Sequence, residues 1–181
     1  MKHLLTVDYD KTKSLKMVIN NLLVDVFNDI LTIEETALKN GPFSDVTVTE
    51  VHTVEAVGMY IKKTMGEVAK ALHITVGTLT VSIGNLVKKG YVERFRNDID
   101  RRVVKVGLTK KGRLLYRIHQ HFHDQMVSDA IAGFTEDESR IFAEALTKLH
   151  DSLRNSYNES NSREAQFVHN KPQIAADRRK A

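Results

Sequence analysis

Four side chains between Thr78 and Lys88 have the types and the spacing to read the edges of base pairs. Thr78, Val81, Asn85 and Lys88 recur at i, i+3, i+7 and i+10, so a helix would bring them onto one face. Threonine and valine methyls can pack on a thymine methyl, and an Asn85 amide can both donate to and accept from an adenine. Thr75 and Thr80 sit at the margins of that face. Gly77 removes side-chain bulk near the helix start, where backbone amides could meet a phosphate. Lys88 and Lys89 suit phosphate better than sequence readout. A solvated helix face usually carries Glu, Lys and Arg, so a threonine-rich face without an acid points to a partner other than water.

A second group follows at once. Arg94, Arg96, Arg101 and Arg102 flank the turn residues Asn97-Asp98-Ile99-Asp100, an arrangement able to straddle a phosphate backbone and enter a minor groove, with Asn97 at its tip. Asp98 and Asp100 repel phosphate and read as internal partners that fix the guanidinium plane of Arg101 or Arg102. A structural salt bridge alone would account for one of the four arginines.

A third group consists of histidines. His119, His121 and His123 alternate, and His119 and His123 lie one helical turn apart, as metal ligands can, with His52 available to join them. The segment holds no HExxH pattern and Asp124 is its only nearby carboxylate. Polar packing is therefore the favoured reading and no metal site is expected. No Ser-His-Asp signature, phosphate loop or dinucleotide loop is present either, so an enzyme is not expected. The sequence has no cysteine, which removes disulfides, thiolate zinc sites and thiol chemistry.

These residues need elements to position them. Apolar residues at Leu15, Val18, Ile19, Leu22, Val26, Ile30, Ile33 and Ala37 predict a long helix, stopped by Asn40-Gly41-Pro42. Its wide apolar stripe demands a large partner surface, a subunit interface as well as the core. Thr47 to Glu50, Thr64 to Glu67 and Thr135 to Glu138 are capping boxes that open further helices. Thr75 caps the helix from Val76 to Lys89, which Gly90 ends. With the helix before it, this forms a helix-turn-helix. The β-rich runs Tyr91 to Arg96 and Arg102 to Leu108 predict a hairpin wing, and Thr109 opens a helix that Gly133 breaks. The expected fold is mainly α: a winged helix-turn-helix of about six helices and a β-hairpin, with terminal helices forming a dimerisation region. Residues 1–13 read as a mobile arm, 14–58 and 109–154 as the dimerisation region, 59–108 as the DNA-binding region and 155–181 as a disordered polar tail.

Charge follows the same division. Residues 18–59 carry one Lys against seven acids, 60–117 carry fourteen Lys or Arg against four acids, and 118–157 carry three against seven. A basic middle between acidic flanks is what a domain facing a polyanion shows. With 41% hydrophobic residues and no long apolar run, the composition is globular and not membrane-spanning. The first residues, through Lys13, lack an apolar run and a small-residue cleavage site, so no secretory signal and a cytoplasmic location are expected.

From Leu72 to Arg113 the sequence resembles the core of the MarR family, above all in Asp100-Arg101-Arg102 followed by Val106-Gly107-Leu108-Thr109-Lys110-Lys111-Gly112. The flanks at Ile33 to Glu35, Thr49 to Gly58 and Arg117 to Val127 are similar to the FabT group, repressors of fatty-acid synthesis genes in low-GC Gram-positive bacteria. The resemblance covers about residues 15 to 153. It implies a homodimer on a palindromic operator in double-stranded DNA, with long-chain acyl-acyl carrier protein as corepressor. Val54, Met59, Phe122 and Met126 could then line an effector pocket, or belong to the ordinary core. Lys110, Lys111, Arg113 and Arg117 could meet an acidic carrier protein, or hold operator phosphate. Two departures matter: many relatives carry Arg where this chain has Ile99, and a basic residue where it has Val81. The competing readings are a regulator of this type that responds to another small ligand, an architectural DNA binder without a ligand, and a metal-dependent histidine-cluster protein.

Overall fold

The computed structural model describes residues 9–96 and 104–169. The elements run α1 (Tyr9–Asn40), α2 (Val48–Val57), β1 (Lys63–Thr64), α3 (Met65–Ala71), α4 (Val76–Lys88), β2 (Val92–Arg96), β3 (Val104–Leu108), α5 (Lys110–Ile131) and α6 (Glu136–His169). By packing, the chain divides after Asp124 into two compact units. No helix among the described residues is long and apolar enough to cross a membrane.

The first unit has one core. Val51, Val54 and Val57 of α2, Val68 and Ala69 of α3, and Leu79, Ile83 and Leu86 of α4 are buried together with Tyr91, Val92, Val106, Leu108 and Leu115. The three strands form an antiparallel sheet in the order β1-β3-β2. Val92 pairs with Leu108 and Arg96 with Val104, while Lys63 and Thr64 pair with Val106 and Lys105. Strand β1 was not expected: at two residues it is too short to show an alternating pattern, and Thr64 doubles as the N-cap of α3.

Helix α1 is inverted relative to an ordinary surface helix. Its apolar residues Leu15, Val18, Ile19, Leu22, Val26, Phe27 and Ile33 are all about half exposed or more, whereas the one α1 side chain fully buried between residues 13 and 40 is Glu34. The helix also begins at Tyr9, so residues 9–13, expected in a mobile arm, belong to it. They contain no Gly or Pro, and Asp10 is an acid of the kind favoured in a first turn.

In the second unit, Thr135 and Glu138 exchange the reciprocal bonds of the expected capping box at the start of α6, and Phe134 meets Phe142 edge to face with centroids 5.7 Å apart. Ile141, Phe142, Leu146 and Leu153 are exposed. Helix α6 continues to His169, through residues 155–169 that were expected in a disordered tail. Their polar composition rules out a core but not a helix, because no Gly or Pro interrupts them before Pro172.

Candidate nucleic-acid interface

The helix-turn-helix is set by its caps. Thr64 and Glu67 bond each other's backbone amides at the start of α3. At its end His73 takes the left-handed conformation, φ 54°, and the amides of His73 and Ile74 return to the carbonyls of Lys70 and Ala69. This pairing turns the chain sharply into α4. Thr75 then caps α4 by accepting from the amide of Thr78 at 3.1 Å.

Helix α4 buries Leu79, Ile83 and Leu86 and leaves Thr75, Gly77, Thr78, Thr80, Val81, Asn85 and Lys88 exposed. The expected reading face is thus on the surface, with Val81 the most open of its apolar residues at 67%. The hydroxyls are partly engaged: Thr80 Oγ1 donates to the Val76 carbonyl, and Thr75 and Thr78 share a bond of 2.9 Å. What faces outward is therefore largely methyl, with the Asn85 amide and the Lys88 ammonium as the polar exceptions. A Cβ on Gly77 would meet only Thr75 Oγ1, at 3.6 Å. Nothing among the described residues requires glycine there, and the space above it is open.

From behind, α4 is held by α2. Thr53, fully buried, bonds the Thr49 carbonyl and Ser82 Oγ at 3.1 Å. Lys89, expected on phosphate, turns inward: its Nζ donates to Glu50 Oε2 at 2.6 Å, and that carboxylate also caps α2 through Thr47. Of the two lysines, Lys88 is the exposed one. The reason is Gly90, whose φ of 78° swings the chain back so that Gly90 and Tyr91 amides close on the Val87 and Leu86 carbonyls.

Tyr91 fixes the junction that follows. Its hydroxyl donates to Asp45 Oδ1 at 2.5 Å, and Lys111 Nζ lies 4.0 Å over its ring and 3.3 Å from Asp45 Oδ2. The hydrogen bond from Tyr91 holds the Asp45 carboxyl below the usual carboxylate range, while burial and the nearby Asp45 charge push the tyrosine hydroxyl up. Thr109 bonds the carbonyls of Gly90 and Tyr91 and caps α5 by accepting from the Gly112 amide. A Cβ on Gly112 would lie 2.1 Å from the Tyr91 oxygen, so only glycine lets α5 start there.

On the wing, Arg94 is exposed on β2, with its guanidinium reaching over α4 beside Gly84. Lys62 Nζ stands 3.5 Å over the Phe95 ring. The side chain of Arg96 and all of Asn97, Asp98, Ile99, Asp100, Arg101 and Arg102 lie outside the described residues.

The expected basic edge is divided. Lys110 and Arg117 are exposed, but Lys111 is occupied by Asp45 and Tyr91, and Arg113 donates to the Leu108 carbonyl. Of the expected effector residues, Phe122 lines a cavity of about 110 Å³ with Glu34, Ala37, Leu38, Phe43, Leu115, Ile118 and His119. Val54 does not; it is wholly buried in the core. Its place at the α2 centre, opposite α4, makes it a packing residue. Met59 is half-buried in the connection after α2, and Met126 is half-buried on α5 in the second unit.

The histidines separate as well. His121 is exposed, while His52, His119 and His123 gather around Glu34. Burial pushes the Glu55 carboxyl up, but hydrogen bonds from His119 and Gln120 outweigh this and hold it below its ordinary value. Neither Glu34 nor Glu55 was a candidate in the sequence, because they stand on other helices, far from the histidine segment.

Residues 44–117 match the family described as "Transcriptional regulator SarA/Rot". The crystal structure of Streptococcus pneumoniae FabT in complex with DNA is similar to this chain, with 42% identity, a TM-score of 0.74, and coverage of 77% of this chain and 98% of the other. The multiple antibiotic resistance protein MarR of Salmonella typhimurium is 27% identical over 137 residues, 69% of this chain and 95% of that protein. The Bacillus subtilis regulator YsmB is 29% identical over 91 residues, half of this chain, and the match spans 62% of its own length.

Proposed function

Because the chain belongs to the MarR family of winged helix-turn-helix, DNA-binding transcription regulators, we propose that it is a homodimeric repressor of fatty-acid synthesis genes with long-chain acyl-acyl carrier protein as corepressor. The observation that carries this reading is the likeness to FabT over nearly that protein's whole length. The exposed α4 face supports readout of a palindromic operator, with the wing arginines supplying phosphate and minor-groove contacts. Dimerisation is supported by α1, whose Leu, Ile, Val and Phe side chains stand open on the single chain. Burying them in a second copy gains roughly 25 cal/mol per Å² of apolar surface. Lys110 and Arg117, both exposed, are the side chains left to meet an acidic carrier protein. Such a regulator acts where its DNA is, in the cytoplasm.

A specific observation favours a second reading of the effector. The cavity beside Phe122 measures about 110 Å³, less than the ~150 Å³ that accepts one benzene. Either ligand must open it, but a long acyl chain far more than a small apolar ligand of benzene size. A gel-shift titration of the operator with and without palmitoyl-acyl carrier protein decides between them. Tighter operator binding supports the corepressor reading. An unchanged complex removes the fatty-acid effector and leaves the DNA-binding regulator standing.

A further inference from the structure

Glu34 is 2% exposed on a helix that leaves its leucines and isoleucines open. Burying a carboxylate costs several kcal/mol unless its charge and lone pairs are met, so something specific must meet it. Three histidines surround it. His123 Nε2 is 2.9 Å and His119 Nε2 3.7 Å from Oε1, and His52 Nε2 is 3.5 Å from Oε2. Even so, Glu34 Oε2 and His119 Nε2 are both buried without a hydrogen-bond partner among the described residues. A network of histidine–glutamate ion pairs would satisfy these atoms. This arrangement satisfies one contact well and leaves two groups orphaned.

We propose that Glu34, His52, His119 and His123 form a binding site for a divalent transition-metal ion of the zinc class, with Glu55 orienting His119. The four donor atoms lie within 4.8 Å of one another. Ligands at about 2.0–2.1 Å from a tetrahedral zinc stand about 3.4 Å apart. His123 and His119 stand 2.9 and 3.7 Å from Glu34 Oε1, and His52 stands 3.5 Å from Oε2. Closing the remaining separations, up to 4.8 Å, takes about 1.4 Å of side-chain movement. Glu55 Oε1 is 2.9 Å from His119 Nδ1. A carboxylate can only accept there, so Nδ1 carries the hydrogen, and in the neutral imidazole Nε2 keeps a lone pair on the Glu34 side. This is the carboxylate–histidine arrangement that fixes the tautomer and raises the basicity of a metal-binding imidazole. Gln120 bonds the same Glu55 oxygen at 2.8 Å and fixes it in turn. Charge also balances: two carboxylates and three neutral imidazoles give −2, which one divalent ion neutralises. Three nitrogens and one oxygen suit zinc, cobalt, nickel or copper and not magnesium or calcium, which take oxygen.

The test uses the full-length protein after chelator treatment, titrated with Zn²⁺ against a chromophoric chelator and with Co²⁺ followed by visible absorption. Expected are one ion per chain, a dissociation constant below about 1 μM, and the intense visible bands of tetrahedral cobalt. Glu34→Gln and His123→Ala should each weaken binding more than 100-fold. Glu55→Gln should weaken it about 10- to 100-fold while the site still loads, and His121→Ala should leave it unchanged. Circular dichroism of the metal-free variants checks folding. Should Glu34→Gln fail to fold, His123→Ala, at a half-exposed position, decides alone. Absence of binding below 1 μM, weak octahedral cobalt bands, or wild-type affinity in His123→Ala would each overturn the proposal. None of these outcomes depends on operator binding, so the metal site and the repressor reading can fail separately.

Discussion

Replacing Gly112 by alanine tests the way the wing is joined to α5. The added Cβ would lie 2.1 Å from the Tyr91 carbonyl oxygen and 3.0 Å from its carbon. Ordinary contact begins near 3.4 Å, so α5 must retreat by about 1.3 Å, since no side-chain rotation can relieve a clash between two backbones. That retreat stretches the Thr109 amide bond to the Tyr91 carbonyl, now 3.0 Å, and the Thr109 hydroxyl bond to Gly90, now 2.7 Å. Losing two such bonds costs about 2 kcal/mol, and disturbed packing around Leu115 adds about 1–3 kcal/mol. The gain from alanine over glycine in a helix offsets at most about 1 kcal/mol. A net loss of about 2–4 kcal/mol follows, equivalent to a melting point lower by roughly 4–16 °C at this chain length. Gly66→Ala is the control, because that Cβ meets nothing within 4 Å and should stabilise by about 0.4–1 kcal/mol. Urea unfolding at one fixed protein concentration, followed by circular dichroism, measures both. A Gly112→Ala midpoint at or above wild type would refute the close approach, as would equal losses in the two variants.

The other predictions separate residues that face outward from those that hold the frame. Lys88→Ala should lower the salt slope of operator binding by about one unit, whereas Lys89→Ala should leave the slope alone and lower stability, because Lys89 is tied to Glu50; paired salt titrations and melts distinguish them. Asn85→Ala should cost about 1–3 kcal/mol at its cognate base pair, and an equal loss on random DNA would show that Asn85 reads no base. Gly77→Ala should leave the fold as stable or more so and weaken operator affinity; full affinity would remove the glycine from the interface. Asp45, held below its ordinary value first by the Tyr91 hydroxyl, contributes stability that is present above the unfolded carboxylate pKa and lost as pH falls through the lowered folded one. Tyr91→Phe should therefore flatten the loss of stability as pH falls below the ordinary carboxylate range, read by urea midpoints at each pH.

Much of the helix-turn-helix was legible because local chemistry writes it. Thr64, Thr75 and Thr135 cap helices through their own side chains, and Gly90 ends α4 because its backbone needs a positive φ. The spacing of Leu79, Ile83 and Leu86 then settles which face of α4 is left for a partner. What the sequence hid depends on long-range partners. Lys89 looks like its neighbour Lys88 until Glu50, on another helix, claims it. Lys111 looks like part of a basic edge until Asp45 and Tyr91 hold it. The histidine segment lacks a carboxylate of its own, and Glu34 reaches it only because α1 folds back over α2. The acidic pair in Ile33-Glu34-Glu35 carries no sign that one glutamate is buried and the other open.

Glu34 and His119 belong both to the proposed donor set and to the wall of the cavity, and this overlap has an energetic consequence. An ion that draws donors as much as 4.8 Å apart onto edges of about 3.4 Å tightens α1 against α5 at the cavity's polar end. Whatever factor the ion imposes on the affinity of a cavity ligand, that ligand must impose on the affinity of the ion. A route to α4 runs through α2: His52 belongs to the proposed donor set, and the adjacent Thr53 bonds Ser82 on the back of α4. Operator affinity should therefore respond to zinc by different factors with and without palmitoyl-acyl carrier protein. Equal factors in a four-way gel-shift comparison would mean that the shared wall transmits nothing and that the two ligands act independently.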